Sequence, residues 1–241
     1  MIFTIFKREL LGYFATPVAY VFIVIYLLLN SLFTFYAGRL LDTNQADLIP
    51  FFSGHPYVYL FLIPALSMRL WAEERKSGTM ELLMTLPITA WQAVVAKYLA
   101  AWGFTLIALC LTFPLWITVN YLGNPDNGVI LASYLGSFLM AGAYLAIGSC
   151  VSAMTKNQVI AFVITVMVCF VFAITGPLQN IVALQDNIPT VIVDFLLSIS
   201  FDFRFQEIMR GVVDVRTIIY FISMITTWLF LNTLILEWKK G

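Results

Sequence analysis

The sequence predicts an all-α integral membrane protein with six transmembrane helices, and three observations carry that prediction. Hydrophobic residues make up 61% of the 241-residue chain and charged residues only 11%, against roughly 25% charged in soluble domains. Apolar runs of about 20 residues, the length that crosses a hydrocarbon core, recur along it. The charges collect in the short segments between those runs. A soluble fold of this size needs far more polar surface, so the bilayer is the natural solvent.

The elements follow in chain order. Over residues 1–16, Phe3, Phe6, Leu10 and Tyr13 recur at helical spacing, while Thr4, Lys7, Arg8 and Glu9 are polar. That pattern predicts an amphipathic helix lying in the membrane interface. Lys7 and Arg8 look like the basic start of a signal peptide, but the apolar run behind them is too long and lacks a small-residue cleavage site.

The first span runs from Val18 to Gly38, 21 residues without a formal charge. Its Asn30, Ser31 and Thr34 form a polar patch that suits a substrate path and equally suits hydrogen bonding between helices. The second span, Phe51 to Trp71, contains Pro64 and Arg69; the third, Val94 to Tyr121, contains Pro114 and is long enough to tilt. Each proline removes a backbone donor and kinks its helix. The fourth span, Val129 to Met154, and the fifth, Val159 to Gly176, are separated by Thr-Lys-Asn-Gln. The sixth covers Thr217 to Glu237. Small residues four apart (Ala132/Gly136, Ser133/Ser137/Ala141, Gly148/Ser152) let the fourth span approach a neighbour closely, inside the subunit or across a dimer seam.

Before the last span, residues 177–214 predict an extracytoplasmic re-entrant segment. Ile188 to Ser200 is mostly apolar but, at 13 residues, too short to cross. Such backbone must be shielded by protein. Phe-Asp-Phe-Arg-Phe follows, then a short helix over Gln206 to Val213 broken at Gly211. With no linker or repeat, residues 1–241 read as one membrane domain.

Orientation follows the Lys/Arg distribution. Lys7, Arg8, Arg69, Arg75, Lys76, Lys97, Lys156, Lys239 and Lys240 fall on one side, against Arg39, Arg204, Arg210 and Arg216 on the other. Nine against four predicts both termini in the cytoplasm.

Several chemistries lack their residues. There is no G-x-x-x-x-G-K-[ST] phosphate loop and no H-E-x-x-H. His55, the single histidine, falls in the turn-like Ser-Gly-His-Pro at the edge of the second span and is expected in a loop, so no base is expected inside the membrane for a serine nucleophile. Cys110, Cys150 and Cys169 sit in apolar runs as packing residues. The first, third, fourth and fifth spans carry no interior Asp or Glu, which weighs against an ion-coupled transporter. The expectation is a non-catalytic membrane subunit without metal or cofactor. The 13 basic and 13 acidic residues balance, so no nucleic acid partner is expected.

One window gathers charge: Arg69-Leu-Trp-Ala-Glu-Glu-Arg-Lys-Ser-Gly-Thr-Met-Glu-Leu-Leu-Met-Thr-Leu-Pro87. Each charge at the membrane centre would cost roughly 2.5 to 3.5 kcal/mol, so the stretch lies in water. Ser77-Gly78 breaks the chain. Thr79 then caps a short helix with Leu82, Leu83 and Leu86 on one face, and Pro87 ends it. An apolar face with so little of its own chain to cover it suits a partner's groove.

Glu-Glu-Arg-Lys-Ser-Gly-Thr-Met-Glu-Leu-Leu, followed by Leu-Pro-Ile-Thr and Ala-Lys-Tyr, resembles the ABC-2-type permeases, the membrane subunits of ATP-binding-cassette transporters. Phe-Arg-Phe-Gln-Glu-Ile-Met-Arg-Gly-Val-Val-Asp also looks like the sequence before their final span. The short ATPase-free chain is similar to the gliding-motility-associated branch and to the copper-site-maturation permeases.

The resemblance implies a type V exporter-like fold in a bacterial inner membrane. It also implies a cytoplasmic coupling region over residues 73–90, built from Glu73, Glu74, Arg75, Gly78, Thr79, Met80, Glu81, Leu82, Leu83, Leu86 and Pro87. Glu73 to Arg75 would end the second span and Met80 to Leu86 would enter the ATPase. The implied partners are a cytosolic ATPase dimer holding ATP and Mg, a second permease copy and an extracytoplasmic or membrane-anchored auxiliary subunit. The implied function is ATP-driven export. A permease that transmits force to an extracytoplasmic protein without moving solute, and an ion-coupled secondary transporter, are the rival readings.

Overall fold

The computed structural model describes residues 2–40, 46–80, 88–174 and 197–238. Every regular element among them is helical. The N-terminal helix α1 (Ile2–Phe14) precedes α2 (Pro17–Leu32), which ends in a π-helical turn over Phe33–Ala37. Then come α3 (Ile49–Ser53), α4 (His55–Ser67), α5 (Arg69–Ser77), α6 (Ala90–Cys110) and α7 (Phe113–Leu122). The rest of the bundle is α8 (Asn127–Met154), α9 (Gln158–Ile174), α10 (Phe201–Met209) and α11 (Val215–Trp238).

Among the described residues, four stretches are long and apolar enough to cross a membrane: Pro17–Ala37, Ala90–Leu122, Asn127–Met154 and Val215–Trp238. They match the first, third, fourth and sixth predicted spans to within a few residues. The stretch over Ala90–Leu122 has 33 residues, about 50 Å at 1.5 Å per residue, more than a straight crossing needs. It bends at Leu111–Thr112, where Pro114 sits in the first turn of α7. The fifth predicted span is the 17-residue α9. The second divides into α3, α4 and α5, with joints at Gly54 and Met68.

α8 is the centre. It packs against α4, α5, α6, α9, α10 and α11. Its most apolar window is 67% buried, against 28% for α2 and for α11, so those two turn most of their apolar surface outward. The sequence explains the difference, because α8 is rich in Gly, Ala and Ser and lets backbones close in. At Gly148 an added Cβ would collide with the side chain of Ser67 on α4. Tyr98 and Trp102 of α6 donate to the α8 carbonyls of Gly142 and Phe138 at 3.2 and 3.0 Å. The small-residue face is therefore used within the subunit.

Two sequence expectations are corrected. His55 does not lie in a loop: it opens α4 and is fully buried, because Pro56 behind it starts a helix. The short helix before the last span begins at Phe201 rather than Gln206. Ser200 Oγ caps it by accepting from Phe203 N at 3.2 Å. The aromatic–charged alternation of Phe-Asp-Phe-Arg-Phe is thus wound on a helix whose Phe201 and Phe205 enter the core. It ends as expected, with Gly211 at φ 83°. Within the predicted re-entrant segment, residues 177–196 lie outside the described residues.

Candidate functional site

The first part of the charged window, α5, is joined to α1, α6 and α8. Lys97, in the third turn of α6, is 3% exposed. Its Nζ lies 2.7 Å from Glu74 Oε1 on α5 and 3.2 Å from Glu9 Oε2 on α1. The ammonium also stands 5.4 Å from the centroid of the buried Trp71 ring, within cation–π range. One cation therefore holds three helices that are far apart in sequence. An ammonium has three protons to donate and no acceptor of its own, so two carboxylates and a ring face suit it.

Burial pushes the Glu9 carboxyl up. The charges of Lys97 and Arg8, with hydrogen bonds from both, outweigh burial and hold it below its ordinary value. A cavity of about 410 Å³ lies beside this junction, lined by α1 and α5, with Lys97 in its wall. Glu74 Oε2 is buried without a hydrogen-bond partner among the described residues.

The rest of α5 is seated as firmly. The joint at Met68 frees backbone groups that a helix would pair, and Ser152 of α8 satisfies them. Its Oγ accepts from Trp71 N and Ala72 N, both at 3.1 Å, and donates to Met68 O at 2.9 Å. Ser149 Oγ accepts from Trp71 Nε1 at 3.3 Å and from Asn232 Nδ2 of α11 at 2.8 Å. Arg75 donates to Ala153 O at 2.9 Å, where a cation complements the C-terminal end of α8. Glu73 pairs with Arg69 at 3.0 Å on the outside, an exposed contact worth a few tenths of a kcal/mol.

α5 stops at Gly78, whose φ of 73° is left-handed and favours glycine. Ser77 Oγ donates to Glu73 O at 2.9 Å and lies 2.9 Å from Thr79 Oγ1, which reaches Glu74 O at 3.4 Å. These Thr79 contacts face back onto the end of α5. Helical backbone resumes at Thr79 and Met80, and Met80 packs half-buried against the core. Glu81, Leu82, Leu83, Leu86 and Pro87 lie outside the described residues. After them, Thr89 and Gln92 form a capping box that opens α6.

The polar patch of the first span points inward at two of its three positions. Asn30 and Thr34 are buried and bond within their own helix: Asn30 Nδ2 to Tyr26 O at 2.8 Å, Thr34 Oγ1 to Asn30 O at 2.6 Å. Ser31 is half-buried. Beside them a hydrogen-bonded seam joins α2, α4 and α8. Tyr26 and Tyr59 hydroxyls lie 3.4 Å apart, and Ser137 Oγ is 2.7 Å from both Tyr59 Oη and His55 Nδ1. A serine–histidine contact therefore exists, contrary to the expectation for His55. Both side chains are fully buried, so in this arrangement Ser137 meets no substrate and the seam ties helices together.

Sequence reasoning missed Glu9 and Lys97 as site residues. The available signal was Lys97 itself, a charge inside the apolar helix that follows the charged window, where a buried ammonium requires anionic partners.

A family model described as ABC-2 family transporter protein matches residues 45–227. No curated protein matches the chain. The matched region takes in α3 to α10, the whole charged window and the first half of α11.

Proposed function

This chain belongs to the ABC-2 transporter family, and on that premise we propose that it is the permease subunit through which a separate cytosolic ATPase drives export. Membership makes it a multi-pass membrane permease. In the proposed topology six helical passes cross a bacterial inner membrane, both termini are cytoplasmic and residues 1–241 form one permease domain. The ATPase dimer holds ATP and Mg, while the permease adds no catalytic group. A second permease copy completes the membrane unit, and an extracytoplasmic or membrane-anchored auxiliary subunit completes the complex.

The observation that supports this reading most is the Lys97 junction. The Met80 to Leu86 segment follows α5 in the chain, and α5 is tied to α1 and α6 through one buried ammonium. A push on Met80 to Leu86 by an ATPase groove reaches α1 and α6 through ion pairs, and reaches α8 through Ser152 and Arg75. On this reading Glu73, Glu74 and Arg75 anchor the lever, Gly78 is its bend, and Met80, Glu81, Leu82, Leu83, Leu86 and Pro87 form the contact. The Asn30, Ser31 and Thr34 face is assigned to the substrate path only in a state that opens it, because Asn30 and Thr34 are buried here.

Native mass spectrometry of the complex purified through a tag on this chain tests the proposal. Two permease copies with two ATPase copies are expected. Purification of this chain from its own membranes without any nucleotide-binding subunit overturns it.

A further inference from the structure

A second cavity, of about 420 Å³, lies at the end of α4 away from the charged junction. Phe33 and Ala37 of the π-helical turn, Ser53, Tyr57, Asp202 and Arg210 are among the residues that wall it. Its volume falls in the range of small-molecule sites.

Three features coincide there. The wall at Phe33–Ala37 is the π-helical part of α2, a geometry frequent at functional sites. The Phe33 and Tyr57 rings are near parallel, 10° apart with centroids at 6.4 Å, and both residues line the cavity.

The third feature is a carboxylate. Asp202 is 4% exposed. Its Oδ2 accepts from Gln206 Nε2 at 2.8 Å, and among the described residues no Lys, Arg or His stands within ion-pair distance of it. Burial pushes its carboxyl up, a shift that the Gln206 hydrogen bond only reduces. A buried carboxylate without a counter-charge is costly. Beside aromatic faces it is also the composition that recognises an ammonium, because ring quadrupole and carboxylate attract the same charge. Arg210 is exposed, so water and salt screen its charge far more than that of Asp202.

We propose that this cavity binds an organic ammonium group, with Asp202 as its counter-charge and Tyr57 and Phe33 as its aromatic walls. The site goes beyond the permease reading and does not depend on it, since binding to the isolated chain requires no ATPase.

Calorimetric titration of the purified full chain in dodecyl maltoside tests the site with two probes, phenethylammonium and its neutral isostere 2-phenylethanol. The ammonium is expected to bind at least about tenfold tighter, the size of a desolvated cation–π contact. Asp202→Asn is expected to abolish that preference while the thermal transition remains cooperative. Tyr57→Leu, which leaves the carboxylate in place, is expected to reduce it several-fold and serves if Asp202→Asn does not fold. Equal binding of the two probes, or a preference that survives in the folded variants, overturns the proposal.

Discussion

Lys97 Nζ and Glu74 Oε1 are 2.7 Å apart, joining the Glu-Glu-Arg and Ala-Lys-Tyr motifs, and Glu9 of α1 shares the same ammonium at 3.2 Å. Replacing Lys97 by Met leaves two carboxylates facing each other. The expected loss is about 3 kcal/mol, the low end for breaking a buried pair, because the two side chains are 20% and 21% exposed. Reversible denaturation in mixed detergent measures it. Adding Glu74→Gln to Lys97→Met is expected to recover part of the loss. A strictly additive double mutant would show that the pair is not coupled.

The same junction predicts an acid response. The folded-state pKa of Glu9 is depressed, so its contribution is present above the unfolded value and lost as pH falls through the folded one. Docking of α1 is therefore expected to persist at pH 5 and to loosen below the ordinary carboxylate range. Proteolytic cleavage between α1 and α2 reports this, and Glu9→Gln is expected to flatten the profile.

The proposed lever gives a prediction at its tip. Leu82→Asp or Leu83→Asp places a charge on the apolar face proposed to enter the ATPase groove, while no predicted span is altered. ATPase stimulation by the permease is expected to fall severalfold or more, with membrane insertion unchanged. Coupled activity retained in the double variant Leu82→Asp/Leu83→Asp sinks the assignment.

Gly148 predicts a packing limit. A Cβ there collides with Ser67, and both flanking helices are fixed through Ser149 and Ser152, so neither yields easily. Gly148→Val is expected to cost about 1 to 3 kcal/mol by overpacking, read as a lower denaturation midpoint. Gly148→Val with Ser67→Ala is expected to recover part of that loss.

Long apolar runs were legible because length and composition alone set a span. Pro17–Ala37 and Val215–Trp238 accordingly appear within a few residues of their predicted limits. The joint at Met68 was not legible, because it depends on Ser152, whose hydroxyl stands in for backbone partners from another helix. His55 was misplaced for a different reason: Gly54 suggested a turn, but Pro56 was the stronger signal for a helix start. The charged window announced itself by composition. Its decisive partner did not, because nothing local pairs Lys97 with Glu9.

The segment before the last span carries the remaining prediction, and its geometry changes which residue tests it. A cysteine at Asp202 would have been the natural probe of sidedness, but Asp202 is 4% exposed, and slow labelling there would report burial rather than topology. Val212, just past the left-handed Gly211, is 59% exposed and suits the purpose. Cys110 is exposed while Cys150 and Cys169 are buried, so the background needs Cys110→Ala. In that background Val212→Cys is expected to react with a membrane-impermeant maleimide added to intact spheroplasts. Asp202→Cys should lag well behind it from the same side. Labelling of Val212→Cys only after the membrane is opened would invert the proposed orientation and put the charged junction on the far side from any ATPase.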